Sequence, residues 1–303
     1  ILIGLVGSEM CIRDRYIMIL PVLIYLFLFC YKPMYGLVIA FKDYKITRGI
    51  EGSSWSNPWY KWFLNFFTDP YFGRLLKNTF LISGLTILFG FPAPIILALM
   101  INEVKNSAFK RTVQTITYMP YFISMVVLCG LLKTFCMQDG LFAQIAVLFG
   151  GKAQNYLANP AYFRTIYVLS DIWSGIGWNS IIYLAALSSI DQEQYEAARV
   201  DGANRFQRII HVDLPAIVPT IITMLIFNCA SIMNIGFDKV YLMQNDMNID
   251  RAEVISTFVY KVGLTRGDFS FSTAAGLFQS LVSFILLVIV NKICKTVTET
   301  SLW

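Results

Sequence analysis

Apolar residues along the chain gather into runs long enough to cross a bilayer, separated by polar or aromatic segments. A spanning helix needs about 20 such residues, and six runs meet that length. The first covers 16–40, where Lys32-Pro33 predicts a bend or an end close to an interface. The second, 78–101, carries Gly84 and Gly90, which permit close helix approach, and Pro92 and Pro94, which predict a kink. The third, 115–136, has Pro120 in its first turns, and the fourth, 163–187, is the most polar. The fifth, 215–235, includes Asn228 and Asn234, and the sixth covers 273–294.

The segments between the runs differ in character. Residues 42–77 are long and aromatic, with Trp55, Trp59, Trp62 and Phe66, the composition of a helix lying at the membrane surface. Residues 102–112 form a short basic turn, 137–162 a polar loop with few charges, and 236–272 the last long loop. Lys and Arg are modestly denser in the loops that lie inside if the N-terminus is cytoplasmic.

Residues 188–214 are charged and strongly patterned. Asp191 is a good N-cap, with Gln194 at the capping-box position. Residues 192–200 read as a helix with Tyr195, Ala198 and Val200 facing one side, and Asp201-Gly202 ends it. Asn204 starts a second helix, in which Phe206, Ile209, Ile210 and Asp213 share one face and the first three form an apolar stripe. Leu214-Pro215 leads into the fifth run. Such a stripe needs cover, and lipid headgroups or a groove on a partner protein would both provide it.

Composition supports a chain that uses lipid as its solvent. Of 303 residues, 56% are hydrophobic and 14% charged, and mean hydropathy is +0.60. The net charge of +5 is spread without a long basic run, which argues against nucleic acid as a partner. Six cysteines form no CxxC pair and His211 is the single histidine, so the sequence offers no metal site and no residues are assigned to catalysis. The chain also lacks a GxxxxGK[ST] phosphate loop, so energy from ATP would have to come from another subunit. Polar groups inside spans usually face a cavity or another helix. Asp171, Asn179 and Asn228 are the candidates here, and Tyr121, Phe122, Trp173, Trp178 and Tyr183 offer flat faces, although helix packing alone would also account for them.

At the N-terminus, GSEMCIRDR within residues 1–15 resembles translated sequencing adapter, and the alternative is a short native segment. Residues 1–15 are set aside, leaving 16–303 as one transmembrane domain.

The patterned segment resembles the EAA motif of ABC importer permeases. Glu196-Ala197-Ala198 is followed after three residues by Gly202, then after nine by Val212, and then by Leu214-Pro215. An isoleucine is commoner in that family where Val212 stands. The 26 residues LPVLIYLFLFCYKPMYGLVIAFKDYK, the stretch 172–187 and the terminal Ser301-Leu302-Trp303 resemble permeases of the polysaccharide and multiple-sugar type. The resemblance implies an all-α integral membrane protein of the type I ABC importer permease fold. It would have six transmembrane helices and a cytoplasmic helix-turn-helix coupling loop at 188–215. Glu196, Ala197, Ala198, Arg199, Gly202, Val212, Leu214 and Pro215 would then couple to a cytoplasmic ABC ATPase dimer. That dimer binds the ATP, and the chain itself carries no cofactor and is no enzyme. The implied partners are a second, homologous permease and an extracytoplasmic sugar-binding protein, met by the loops at 137–162 and 236–272. The implied site is the bacterial cytoplasmic membrane, and the implied role is half of a path for sugar or oligosaccharide. The substrate path would use Asp171, Trp173, Trp178, Asn179, Asn228 and Tyr121. A permease for another kind of solute would carry the same motif.

Overall fold

A computed structural model describes the backbone of residues 2–298 and the side chains of 14–296 except Asn234. The side chains of residues 1–13 and the terminal Ser301-Leu302-Trp303 lie outside the described residues. Within the described chain there is no strand, and one antiparallel bridge, Lys42 to Trp55, is the sole β pairing. Eleven helical segments matter here. They are α1 (Asp14–Phe41), α2 (Lys61–Thr68), α3 (Phe72–Asn102), α4 (Ser107–Tyr118), α5 (Met125–Cys136) and α6 (Leu141–Leu148). Then come α7 (Pro160–Ser188), α8 (Gln192–Val200), α9 (Arg205–Ala230), α10 (Phe237–Met243) and α11 (Phe269–Thr298).

Five stretches among the described residues are long and apolar enough to cross a membrane: α1, α3, Met125–Leu148, α9 and α11 up to Thr296. The fourth predicted run is α7, whose 29 residues give about 43 Å of helix. Its polar side chains keep it out of that apolar set.

Two predicted boundaries need correction. The run at 115–136 is not one helix. Pro120 lies in a 3-10 turn, Met119–Phe122, and the chain leaves helical geometry at Ile123 and Ser124 before Ser124 caps α5. The apolar stretch continues instead into α6, within the segment read as a polar loop, where Ala143 is fully buried. The fifth run starts at Arg205, not at Pro215, because the helix passes through the proline without stopping.

The chain handles Pro215 as it handles Pro33 and Pro92. Wide π-helical turns at Phe27–Tyr31, Thr86–Gly90 and Ile209–Asp213 each end two residues before one of these prolines. A proline has no N–H for the carbonyl four residues back, and its ring crowds that carbonyl. An extra residue in the preceding turn makes room for the ring and keeps the helix going.

Two compact units can be distinguished. One comprises the chain to Asp69 together with Lys261–Leu277. In it the Lys42 ammonium donates to the Ile50 carbonyl at 2.7 Å, and Ser270 donates to the Lys42 carbonyl at 2.7 Å. Phe66 of α2 is fully buried, edge-on to Phe271 at 5.9 Å, so part of the aromatic segment is packed core, while Trp55 and Trp59 are exposed.

The other unit comprises Pro70–Tyr260 and the chain from Phe278. Here α7 packs on α3, α4 and α9. One cluster joins Ile95, Ala98 and Ile101 of α3 to Tyr183, Leu184 and Leu187 of α7 and Ile217 of α9. Between spans, lipid is as apolar as the core, so close contact supplies the cohesion. Gly177 of α7 shows how close: a Cβ there would collide with the Thr117 carbonyl of α4. The segment read as the last long loop contributes real core, with Val240, Met243, Val254 and Ile255 fully buried.

Candidate functional site

The patterned segment folds as its sequence dictates. The Asp191 carboxylate accepts from Glu193 N at 3.1 Å and caps α8. The helix ends in a complete Schellman arrangement. Ala203 N donates to the Ala198 carbonyl at 2.9 Å, and Gly202 N donates to the Arg199 carbonyl at 3.1 Å. Gly202 holds φ at +75°, the left-handed region that favours glycine. Asn204 and Gln207 then form a reciprocal capping box at 2.9 and 2.8 Å, which starts α9.

The rest of this segment is outward-facing. Glu196, Ala197 and Arg199 are exposed and Ala198 is half-buried. Val200 is 88% exposed and Phe206 70% exposed. Beyond the turn, Val212 is half-buried and Leu214 and Pro215 are exposed. Two apolar side chains left bare on the same segment as the exposed Glu196 and Arg199 make a surface suited to a protein groove with polar edges.

Five residues that sequence reasoning did not assign to the site hold this surface in place. Tyr195 donates its hydroxyl to the Asp213 carboxylate at 2.5 Å, and Asn102, at the end of α3, approaches the same hydroxyl at 3.5 Å. Arg208 donates to both oxygens of Glu103 at 3.0 and 2.9 Å, and both side chains are largely shielded from solvent. Burial first, and then the Asp213 carboxylate, push the Tyr195 hydroxyl up to about 12, so it stays a neutral donor at physiological pH. One signal was legible: Asp213 falls on the apolar face of its helix, where a carboxylate must find a donor. Its partner across the turn was not legible, nor was Glu103, 105 residues from Arg208.

The predicted substrate-path residues fall into three groups. Asp171, Asn179 and Asn228 line one small cavity of about 120 Å³, with Thr86, Gly90 and Pro94 of α3 completing its wall. Tyr121 and Trp178 form a second group, stacked at 4.6 Å with Phe122 edge-on to Trp178 at 5.7 Å. Trp173 stands apart, on an apolar groove of about 640 Å³ walled by Leu128, Leu132, Phe135 and Phe142. The cavity has an unforeseen neighbour. Lys239 of α10 donates to Asp171 at 3.1 Å and to the Tyr167 carbonyl at 2.9 Å, with its ammonium 4.4 Å from the Tyr167 ring centre.

Apolar helices long enough to span, an outward-facing, doubly capped helical turn and a small polar cavity between helices give the described residues the architecture of a multispan membrane protein. The chain belongs to the binding-protein-dependent transport system inner membrane component family, whose model matches residues 90–297. Protein LplB of Bacillus subtilis (strain 168) is 43% identical over 294 residues, covering 96% of this chain and 92% of LplB. The polygalacturonan/rhamnogalacturonan transport system permease protein YteP of the same organism is 44% identical over 289 residues, covering 95% and 89%. Among solved structures, a bacterial ABC transporter involved in the import of the acidic polysaccharide alginate superposes with a TM-score of 0.87 at 38% identity. That match covers 97% of this chain and 99% of the other. The all-helical permease fold and membership of the ABC importer permeases, expected from the EAA motif, are thereby established.

Proposed function

We propose that this chain is one of two permease subunits enclosing the membrane path of an ABC importer for oligosaccharides, and that its substrates carry carboxylates. Support for sugar comes from YteP and from the alginate importer, similar along nearly the whole chain. Support for acidic sugar comes from the same pair, one named for polygalacturonan and the other described as importing an acidic polysaccharide.

The observation that carries the coupling role is the pinned, outward-facing surface of α8 and the start of α9. It is rigid, because its caps and its ties to α3 are internal, and it is unpaired, because Val200 and Phe206 face away from the chain. A cytoplasmic ATPase dimer seats this surface and carries it along when ATP closes the dimer. The tie between Arg208 and Glu103 then passes the movement to α3, and the continuous α9 carries it into the membrane. The bundle switches between two packed arrangements as a body. The chain supplies no ATP chemistry of its own. In this reading Glu196 and Arg199 make polar contacts with the ATPase. Ala197 and Ala198 let the helix seat deeply, and Gly202, Val212, Leu214 and Pro215 set the geometry of the turn and its exit. Segment 188–215 is cytosolic, and the protein resides in the bacterial cytoplasmic membrane. A sugar-binding protein delivers substrate on the other face, at 137–162 and 236–272.

Reconstitution with the ATPase, the second permease and the binding protein tests this. Uptake of an oligogalacturonide that requires ATP and the binding protein is the expected result. ATP-driven uptake of a solute that is not a carbohydrate, with no uptake of oligosaccharide, would overturn the reading.

A further inference from the structure

Lys239 is a cation with almost no contact with water: its side chain is 1% exposed. A buried ammonium is tolerated only where opposite charge and acceptors surround it. Here the Asp171 carboxylate, the Tyr167 carbonyl and the face of the Tyr167 ring do so, all from consecutive turns of α7. Asp171 is different. Its side chain is 42% exposed, and it lines the cavity with Asn179 and Asn228, whereas Lys239 is not part of the cavity wall. The ammonium is thus shielded from solvent and is no part of the cavity lining, while the carboxylate it contacts reaches the cavity.

This arrangement has a consequence for charge. A lone carboxylate facing a small cavity between helices would repel a passing anion, since the interaction is only partly screened there. With an ammonium at 3.1 Å the pair is electrically neutral overall, and the cavity presents acceptors and amides without net charge. We propose that Lys239 neutralises Asp171, so that carboxylate-bearing sugar units can pass the polar cavity of α3, α7 and α9 without meeting net negative charge, while Asp171 stays available as an acceptor for sugar hydroxyls. This inference rests on the oligosaccharide-importer reading and adds to it a residue that sets tolerance for substrate charge. Lys239 acts through Asp171 and is a positioning residue.

The test is charge balance in the full reconstituted transporter with its binding protein, reading ATP-driven uptake of an oligogalacturonide. Lys239→Met keeps the apolar stem and leaves Asp171 bare, and uptake is expected to fall roughly tenfold. The double variant Asp171→Asn/Lys239→Met removes both charges and is expected to recover uptake to within about twofold of the unsubstituted transporter. If Lys239 served only to fasten α10 to α7, the double variant would lack that fastening too and would stay as impaired as Lys239→Met. That outcome overturns the proposal, as does full uptake by Lys239→Met. Should Lys239→Met fail to assemble, the double variant alone decides: near-normal uptake supports neutralisation, and assembly without uptake refutes it, as does failure to assemble. An unsubstituted transporter that moves no oligosaccharide would instead defeat the importer reading, which separates the two failures.

Discussion

The hydroxyl of Tyr195 in α8 donates to the buried carboxylate of Asp213 in α9, 18 residues on and across the Gly202 turn. Asp213 is 0% exposed and its second oxygen finds no donor among the described residues, so the tyrosine is its main support. Tyr195→Phe removes that support while keeping the ring. We expect a cost of about 1–3 kcal/mol at the turn. The protein should still insert and assemble, with ATP-driven uptake reduced several-fold and basal ATPase activity less tightly tied to transport. Equal uptake by Tyr195→Phe and the unsubstituted protein would show that the bond has no part in coupling.

Arg208 and Glu103 tie the same segment to α3. Arg208→Glu sets two carboxylates against each other in a shielded site and should cost about 2–4 kcal/mol, seen as faster proteolysis of 188–208 in the membrane. Combining it with Glu103→Arg should restore protection and most uptake. A double variant no better protected than Arg208→Glu would count against a direct tie.

Gly202 separates backbone strain from surface chemistry. A Cβ there meets no atom within 4 Å, yet φ is +75°. Gly202→Ala should therefore cost about 1 kcal/mol through conformation alone and leave uptake measurable. Gly202→Asp adds a carboxylate beside the exposed face and should abolish transport with insertion intact. Normal uptake by Gly202→Asp would remove this turn from the docking surface.

Gly177 tests packing instead. The Thr117 carbonyl occupies the space a Cβ would need, so Gly177→Ala must push α4 and α7 apart. A loss of about 1–3 kcal/mol is expected, read as a lower melting temperature in detergent. An unchanged melting temperature would mean that the crossing relaxes freely.

The aromatic candidates should divide as the structure divides them. Trp178, stacked on Tyr121, should lower oligosaccharide uptake by roughly fivefold when changed to alanine. Trp173→Ala, on the apolar groove, should leave uptake near normal. The reverse pattern in side-by-side uptake assays would relocate the path.

Much of the fold could be read from hydrophobic pattern, because five of the stretches are apolar enough to span whatever they pack against, and α7, more polar, still carries a long apolar run. The exceptions involve proline and buried polarity. Hydrophobic pattern places Pro120 in a span's first turns, yet helical geometry ends just beyond it at Ile123, and it starts a helix at Pro215, yet α9 runs through that proline. Local sequence does not tell a proline that breaks a helix from one that a π-turn accommodates. The segment 236–272 looked like loop because its helices are short, and only tertiary contact buries Val240 and Met243. In the site, the caps at Asp191 and Asn204 and the glycine turn were legible, since each is a contact between near neighbours. Glu103, Arg208 and Lys239 were not, since their roles arise from pairings far apart in sequence.

The coupling account depends most on which side of the membrane meets Val200 and Phe206. Single cysteines at these two positions, in a protein freed of its native cysteines, can be labelled with a membrane-impermeant maleimide in oriented vesicles. Labelling from the cytosolic face alone, suppressed when the ATPase subunits are bound, is the result expected. Labelling from the opposite face, or labelling indifferent to the ATPase, would contradict the assignment of this surface as the coupling site.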